Sequence, residues 1–228
     1  MTEETFDEIA DRYDEAFPAH VVQHYLDKRV AYLRDRCGAG RALDVGCGTG
    51  VLAGRLSDVG FQITGLDPSQ GMLQVMGSSH PGVPRVRGDG ASLPVRTGGF
   101  DVSLTVAALH HVASVDAVRR TLVEMVRVVR IGGHVVVWDH NPRNPYWKIL
   151  MEKVPQDDGS ERLVPEDEIV DGLRAGGAEI VGRDQLGLVP DFVPRSLLRA
   201  TQLTEKVVER APGLRRLCAH NVILAQRR

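Results

Sequence analysis

Asp44 stands two residues before Gly46 in Ala-Leu-Asp-Val-Gly-Cys-Gly-Thr-Gly, residues 42–50. Ala42, Leu43 and Val45 read as the end of a buried strand. Gly46, Gly48 and Gly50 read as a turn without Cβ atoms, where backbone can approach a ligand while a helix opens. That helix continues through Val51, Leu52, Ala53 and Leu56. The spacing is G-x-G-x-G and not the G-x-G-x-x-G of dinucleotide sites. A carboxylate at this strand end repels phosphate and attracts a cation. The turn therefore favours a ligand with a positive group and no phosphate. Three histidines could add proton chemistry. His110 and His111 follow the apolar run 100–106, and His140 follows Val135–Trp138. Ligands in open α/β sheets lie beyond the carboxyl ends of such strands, and imidazole titrates near neutrality. No histidine spacing makes a convincing metal-ligand set, so no metal is expected.

Asp44-Val-Gly-Cys-Gly-Thr-Gly50 resembles the first motif of the class I S-adenosylmethionine-dependent methyltransferases. That cofactor carries an ammonium and a sulfonium and no phosphate, in keeping with the charge at the turn. The resemblance implies S-adenosyl-L-methionine held at Asp44, Gly46, Cys47, Gly48 and Gly50, with S-adenosyl-L-homocysteine as product. Asp67 lies 21 residues after Gly46. An acidic residue at that distance accepts hydrogen bonds from ribose hydroxyls, and it equally suits a helix N-cap before Pro68. By resemblance Met72 covers adenine; packing of its own helix is the alternative. Gly88-Asp89-Gly90-Ala91-Ser-Leu-Pro94 resembles the family pattern Gly-Asp-Ala-x-x-Leu-Pro, with Gly90 in place of alanine. It implies that Asp89 takes the adenine amine while a neighbouring backbone N–H, at Gly90 or Ala91, reaches the ring. Pro68, Val106 and His111 complete the cofactor set. Phe6–Asp14 resembles the amino-terminal helix that folds over the cofactor, which makes Tyr13 either a contact or a packing residue.

Elements must hold these residues in place. Phe6, Ile9, Ala10 and Tyr13 form a helical stripe, and Pro18 suits the first turn of a second helix ending before Cys37-Gly-Ala-Gly40. Strands are expected at 42–45 and 61–66, as a short third one from Pro84, and at 98–106, with a fifth at 135–138 after a Gly-Gly turn. Helices are expected near 69–75, at 116–129, from Pro165, and at 195–210. Strands six and seven fall at 179–189 and 219–225. The resemblance implies a Rossmann-like α/β sheet of seven strands in the order 3-2-1-4-5-7-6, strand 7 antiparallel, with helices on both faces. One domain spans 1–228, with a helical cap at 1–37 and substrate-side insertions at 140–165 and 190–217. Trp138, Tyr146 and Trp147 are three of eleven aromatic side chains and stand beside His140, so these four are expected to form a substrate wall.

A formal net charge of −2 gives no bulk reason to expect nucleic acid or membrane as partner, although arginine outnumbers lysine 24 to 4. Cys37, Cys47 and Cys218 form no paired motif and suit a reducing cytosol. The acidic start has no leader-like apolar core and no run reaches membrane-spanning length, so a cytoplasmic protein is expected. Expected function is methyl transfer to an oxygen or nitrogen of a small metabolite, as in natural-product biosynthesis. His140 is the favoured acid–base residue, with loop capping as its alternative; His111 positions or deprotonates, and His110 is the third candidate. His20, His24, His80, His134 and His220 read as structural or exposed. A nicotinamide oxidoreductase fails on both the glycine spacing and Asp44. Two alternatives survive: a cyclase or isomerase that binds the same cofactor, and an RNA or protein methyltransferase using the arginine-bearing helix after 195. Glu205 and Glu209 in that helix suggest a solvated face instead. Oligomeric state, a dimer included, is left open.

Overall fold

The computed structural model describes residues 3–112, 114–150 and 161–228. Strands β1 (Arg41–Val45), β2 (Gln62–Asp67), β3 (Arg85–Arg87), β4 (Phe100–Val106) and β5 (Val129–His140) run parallel, joined by helices except between β3 and β4, where a loop connects them. Strands β6 (Ala178–Leu186) and β7 (His220–Arg227) close the sheet. The order is β3-β2-β1-β4-β5-β7-β6, and β7 runs antiparallel to both of its neighbours. The expected topology is therefore the one observed. Because β7 runs the other way, its first residue lies at the same sheet edge as the carboxyl ends of β1 to β5. His140 pairs with His220 across that edge.

Strand alternation divides the core into two layers. Leu43, Val45, Val135, Val137 and Ile223 meet α5 (Val115–Val128) and α7 (Glu166–Ala175) through Leu122, Met125, Val126, Ile169 and Leu173. Ala42, Leu104, Val136, Trp138 and Val222 face the other way. They meet α2 (Ala19–Cys37), α3 (Val51–Asp58) and α4 (Gln70–Ser79) through Leu26, Val30, Leu33, Leu56 and Met76. Burial of such side chains contributes about 1.5–3 kcal/mol each. A third, smaller cluster joins Val21 and Tyr25 of α2 to Val189 and Val193, ahead of α8 (Leu198–Arg210).

Several boundaries differ from expectation. Pro18 and Pro165 are N-caps, each one residue before its helix, because proline fits the extended conformation of that position. Helix α2 belongs to a sheet-covering layer and not to a cap. The segment over the sheet edge is shorter: α1 (Glu3–Ile9) and a tight turn at Ala10–Glu15 that carries Tyr13. Gly132 and Gly133 lie inside β5, where a Cβ on Gly133 would sit 2.6 Å from Asp101 O of β4. The short helix α6 (Pro145–Leu150) begins the expected 140–165 insertion, of which 151–160 lie outside the described residues. Among the described residues no helix is long and apolar enough to cross a membrane.

Candidate active site

The three glycines of the turn do three different things. Gly46 (φ +76°) and Cys47 donate N–H bonds of 2.8 and 3.0 Å to Leu66 O, which ties β1 to β2. A Cβ on Gly46 would lie 2.6 Å from that of Ala108. Gly48 (φ +55°) would point its Cβ into open space and donates its N–H to Asp67 Oδ2 at 2.8 Å. Gly50 (φ +79°) is the N-cap of α3 and backs onto Met76, so it shapes the turn without lining either cleft described below. Asp67 is not the cap of α4; Ser69 is, its Oγ accepting from Met72 N–H, while Asp67 Oδ1 accepts from Ser69 N–H at 2.9 Å.

Two adjoining clefts open at the carboxyl edge. The first encloses about 930 Å³, its open mouth included. Leu66, Asp67, Pro68, Met72, Asp89 and Gly90 line it. Ala91 does not, and its N–H already donates to Asp89 Oδ1 at 2.8 Å. The second holds about 1380 Å³ and takes in Asp44, Cys47, Thr49 and Val106 near the turn, then Tyr25, Arg29, His110, His140, Trp147 and His220 further in. Tyr13, Gly46, Gly48, Ala107 and His111 border both. Ala107 holds φ +51°, a strained value for a residue with a Cβ, at the junction of the two clefts.

Asp44 is 2% exposed, and no side chain among the described residues bonds to its carboxylate. Burial, reinforced by Asp67 and only partly offset by Arg29, pushes its pKa up to about 7. A cation against this oxygen would reverse that shift. Arg29 lines the same cleft, with an Nε that is sealed from solvent and has no hydrogen-bond partner. A buried carboxylate and a half-buried guanidinium, neither bonded to the other, suit a ligand of mixed charge. Cys47, also on this wall, is no nucleophile, because burial raises its pKa and keeps it a thiol.

Deeper in the second cleft lie the imidazoles. Asp139, 1% exposed, accepts from Leu109 N–H at 2.8 Å and His140 N–H at 2.7 Å, and its Oδ1 lies 2.9 Å from His110 Nδ1. Burial raises the pKa of Asp139, but His110 outweighs it and the carboxyl stays low and ionised. A carboxylate only accepts, so Nδ1 of His110 carries a proton and Nε2 is the nitrogen left to exchange one. His140 stacks on Trp147 at 3.5 Å and 7°, and on His110 at 4.1 Å. Burial holds the pKa of His140 well below the ordinary imidazole value and brings that of His220 down to about 3. His110, Asp139 and His140 bring three potential ligand atoms within 4.8 Å of one another. Stacked rings aim their in-plane lone pairs along parallel planes, however, which does not suit one shared ion.

The expected substrate wall survives in part. Trp147 and His140 line the second cleft. Trp138, 1% exposed, is a core residue packed edge-on to Tyr32 at 5.7 Å. Strand alternation turns it toward α2, where it touches neither cleft. Tyr146 stands one residue behind the wall and donates its hydroxyl to Asp191 Oδ2 at 2.8 Å. Asp191, Arg29, Asp139 and His220 were not among the expected site residues; His220 had been set aside as structural. Its place at the start of the antiparallel last strand was the signal that could have found it.

The amino-terminal segment closes the site from above. Asp7 Oδ1 accepts from Ser69 Oγ at 2.5 Å and from Gly71 N–H at 2.7 Å, and Thr49 Oγ1 donates to Asp14 Oδ1 at 2.9 Å. Phe6 then meets His111 edge-on at 5.1 Å, and both line the first cleft with Tyr13.

Comparison with known proteins agrees with this geometry. Residues 43–137 match a family model described as a methyltransferase domain. The demethylmenaquinone methyltransferase of Renibacterium salmoninarum is 30% identical over 164 residues, 65% of this chain and 68% of the relative. The phthiotriol/phenolphthiotriol dimycocerosates methyltransferase of Mycobacterium tuberculosis is 35% identical over 133 residues, 56% of this chain and 48% of the relative. The chain thus aligns with about two thirds of the first relative and about half of the second. A crystal structure of an S-adenosylmethionine-dependent methyltransferase from Thermotoga maritima superposes with a TM-score of 0.73 at 20% identity, over 100% of both chains. The chain belongs to the class I S-adenosylmethionine-dependent methyltransferases, and S-adenosylmethionine is its cofactor. The residues fit that group: Gly48 leaves room where a side chain would stand, and Asp44 offers a buried carboxylate without a bonded cation.

Proposed function

We propose that the protein transfers a methyl group to an oxygen or nitrogen of a small, largely apolar acceptor seated in the second cleft, and that His110 accepts the acceptor's proton. When bound, the cofactor supplies an electrophilic methyl on a positively charged sulfur. Asp44 and the bare backbone at Gly46 and Gly48 would hold its charged end, with Asp67, Met72 and Asp89 on the adenosine side. Ala107 and His111, bordering both clefts, would set the approach of acceptor to methyl. Alignment and exclusion of water by the segment from Phe6 to Asp14 supply much of the acceleration in such a displacement.

The observation that carries the proton transfer is the 2.9 Å contact of His110 Nδ1 with a carboxylate already fixed by two backbone donors. This is the arrangement that orients a general base. His140 has the opposite environment: its Nδ1 is buried without a partner and its ring is stacked on both sides. With Trp147 and His220 it makes this part of the cleft wall uncharged, and Arg29 beside it favours the anion formed as the proton leaves. Relatives named for demethylmenaquinone and for phthiotriol dimycocerosates support an apolar acceptor class.

A screen of apolar phenols, quinols and amines with methyl-labelled cofactor tests the activity. At saturating acceptor, His110→Gln is expected to lower turnover by about 10²–10⁴-fold while leaving affinity for S-adenosylhomocysteine unchanged. His140→Phe is expected to retain turnover within about tenfold, since ring stacking survives. The reverse pattern would make His140 the proton acceptor and overturn the assignment.

A further inference from the structure

Helix α8 is built inside out. Glu205, 1% exposed, faces inward, where its oxygens receive His24 Nε2 at 2.9 Å, Lys28 Nζ, and the N–H groups of Leu188 and Val189 at 2.6 and 3.2 Å. Glu209 also turns inward, to Lys28 Nζ and to Gly187 N–H at 2.8 Å. The outer face carries Leu203 and Val207, one turn apart and 65% and 67% exposed. Surface helices of soluble proteins place apolar residues inward and charge outward. The flanking turns continue the anomaly: Phe192 is 71% exposed, and Leu197, Leu214 and Leu217 are exposed too.

Cations surround this apolar surface. Arg195, Arg199, Lys206, Arg210, Arg215 and Arg216 are all exposed, and none of their side chains is hydrogen-bonded or ion-paired among the described residues. Both carboxylates between 192 and 217 are the inward Glu205 and Glu209. The face is therefore strongly positive on a chain whose formal net charge is −2, an average that hid it in the sequence.

We propose that this face docks on an anionic phospholipid bilayer, with Phe192, Leu203 and Val207 entering the headgroup boundary and the six cations meeting lipid phosphates. Apolar groups interleaved with lysine and arginine on one helix face are the signature of interfacial binding. A second copy of the chain would bring the same cations and repel. Nucleic acid would satisfy the cations but leave the aliphatic side chains without a partner. The location has a use. Val189 and Val193 pack on Val21 and Tyr25, and Asp191 between them lines the acceptor cleft, so the bilayer would lie beside the chamber. That use rests on the acceptor being apolar. Vesicle binding does not, so the two fail separately.

Sedimentation of the full chain with sucrose-loaded vesicles tests the inference. Vesicles of phosphatidylglycerol and phosphatidylcholine are expected to carry the protein down, and vesicles of phosphatidylcholine alone are not. Raising salt to about 0.5 M should lower the bound fraction several-fold. Leu203→Glu with Val207→Glu, and separately Lys206→Glu with Arg210→Glu, should each reduce binding to the phosphatidylcholine level while S-adenosylhomocysteine affinity stays unchanged. Absence of binding to phosphatidylglycerol vesicles overturns the proposal. So does equal sedimentation by the first double variant, or binding to an RNA oligonucleotide in preference to vesicles. A dimer in sedimentation velocity that the first double variant abolishes would assign the face to self-association instead.

Discussion

At the level of single residues, Asp44 couples cofactor binding to protons. Burial and Asp67 push its pKa up to about 7, so near neutrality the carboxyl is partly protonated, whereas an ammonium ligand needs it ionised. Binding must expel that proton, and affinity falls as pH drops below the raised value. Between about pH 7 and pH 5 the dissociation constant for S-adenosylhomocysteine should rise more than tenfold. Calorimetry in buffers of different ionisation enthalpy should show proton release on binding. Asp44→Asn should bind weakly at every pH with no such release; an unchanged constant across the range would remove Asp44 from the ammonium site. The type and spacing of Asp44, Gly46 and Gly48 were legible in the sequence because their chemistry is local. Arg29 was not, since only the folded α2 shows that a cation inside an apolar stripe lines a chamber.

Elements decide where the sequence was misread. The helix after residue 195 looked solvated because glutamates are mostly exposed, yet Glu205 is a four-fold acceptor that fastens α8 to α2 and to the backbone after β6. Its burial would raise its pKa, but His24 and Lys28 outweigh that and bring it down to about 2. Glu205→Ala should cost roughly 3–5 kcal/mol in urea unfolding, since it strands buried donors. The folded pKa is depressed, so Glu205 stabilises fully above its ordinary value and loses that contribution as pH falls toward about 2. The difference between wild type and Glu205→Gln should shrink over that range; a constant difference would mean the contacts are uncharged packing. Strand order, in contrast, was legible through the family motif at β1, and alternation in Val135–Trp138 already held the fate of Trp138. Alternate side chains must face opposite layers, so Val136 and Trp138 go together to α2 while Val137 and Asp139 go to the other side. Asp139 thereby reaches His110, a pairing that no local pattern announces.

For the molecule as a whole, buried titratable groups in the site make both stability and ligation weaken on acidification. His220 has a folded pKa of about 3 and His140 is held well below the ordinary imidazole value, so as pH falls through that value the unfolded chain takes protons that the native site refuses. Asp44, raised to about 7, does the reverse: in the native state it keeps a proton that the unfolded chain releases. Across roughly pH 4–6 unfolding takes up about one proton at His220 and gives back about one at Asp44, so these two nearly offset, and His140 tips the balance toward loss of stability on acidification. Saturating S-adenosylhomocysteine should ionise Asp44, cancel its opposing contribution and steepen the slope by about 1.4 kcal/mol per pH unit. His220→Phe should flatten it by about 1.4 kcal/mol per unit with or without ligand. Urea unfolding at several pH values in this window, with and without S-adenosylhomocysteine, measures all three slopes. Equal slopes with and without ligand would show that Asp44 is already ionised in the free protein, and an unaltered slope in His220→Phe would show that His220 is protonated where it stands.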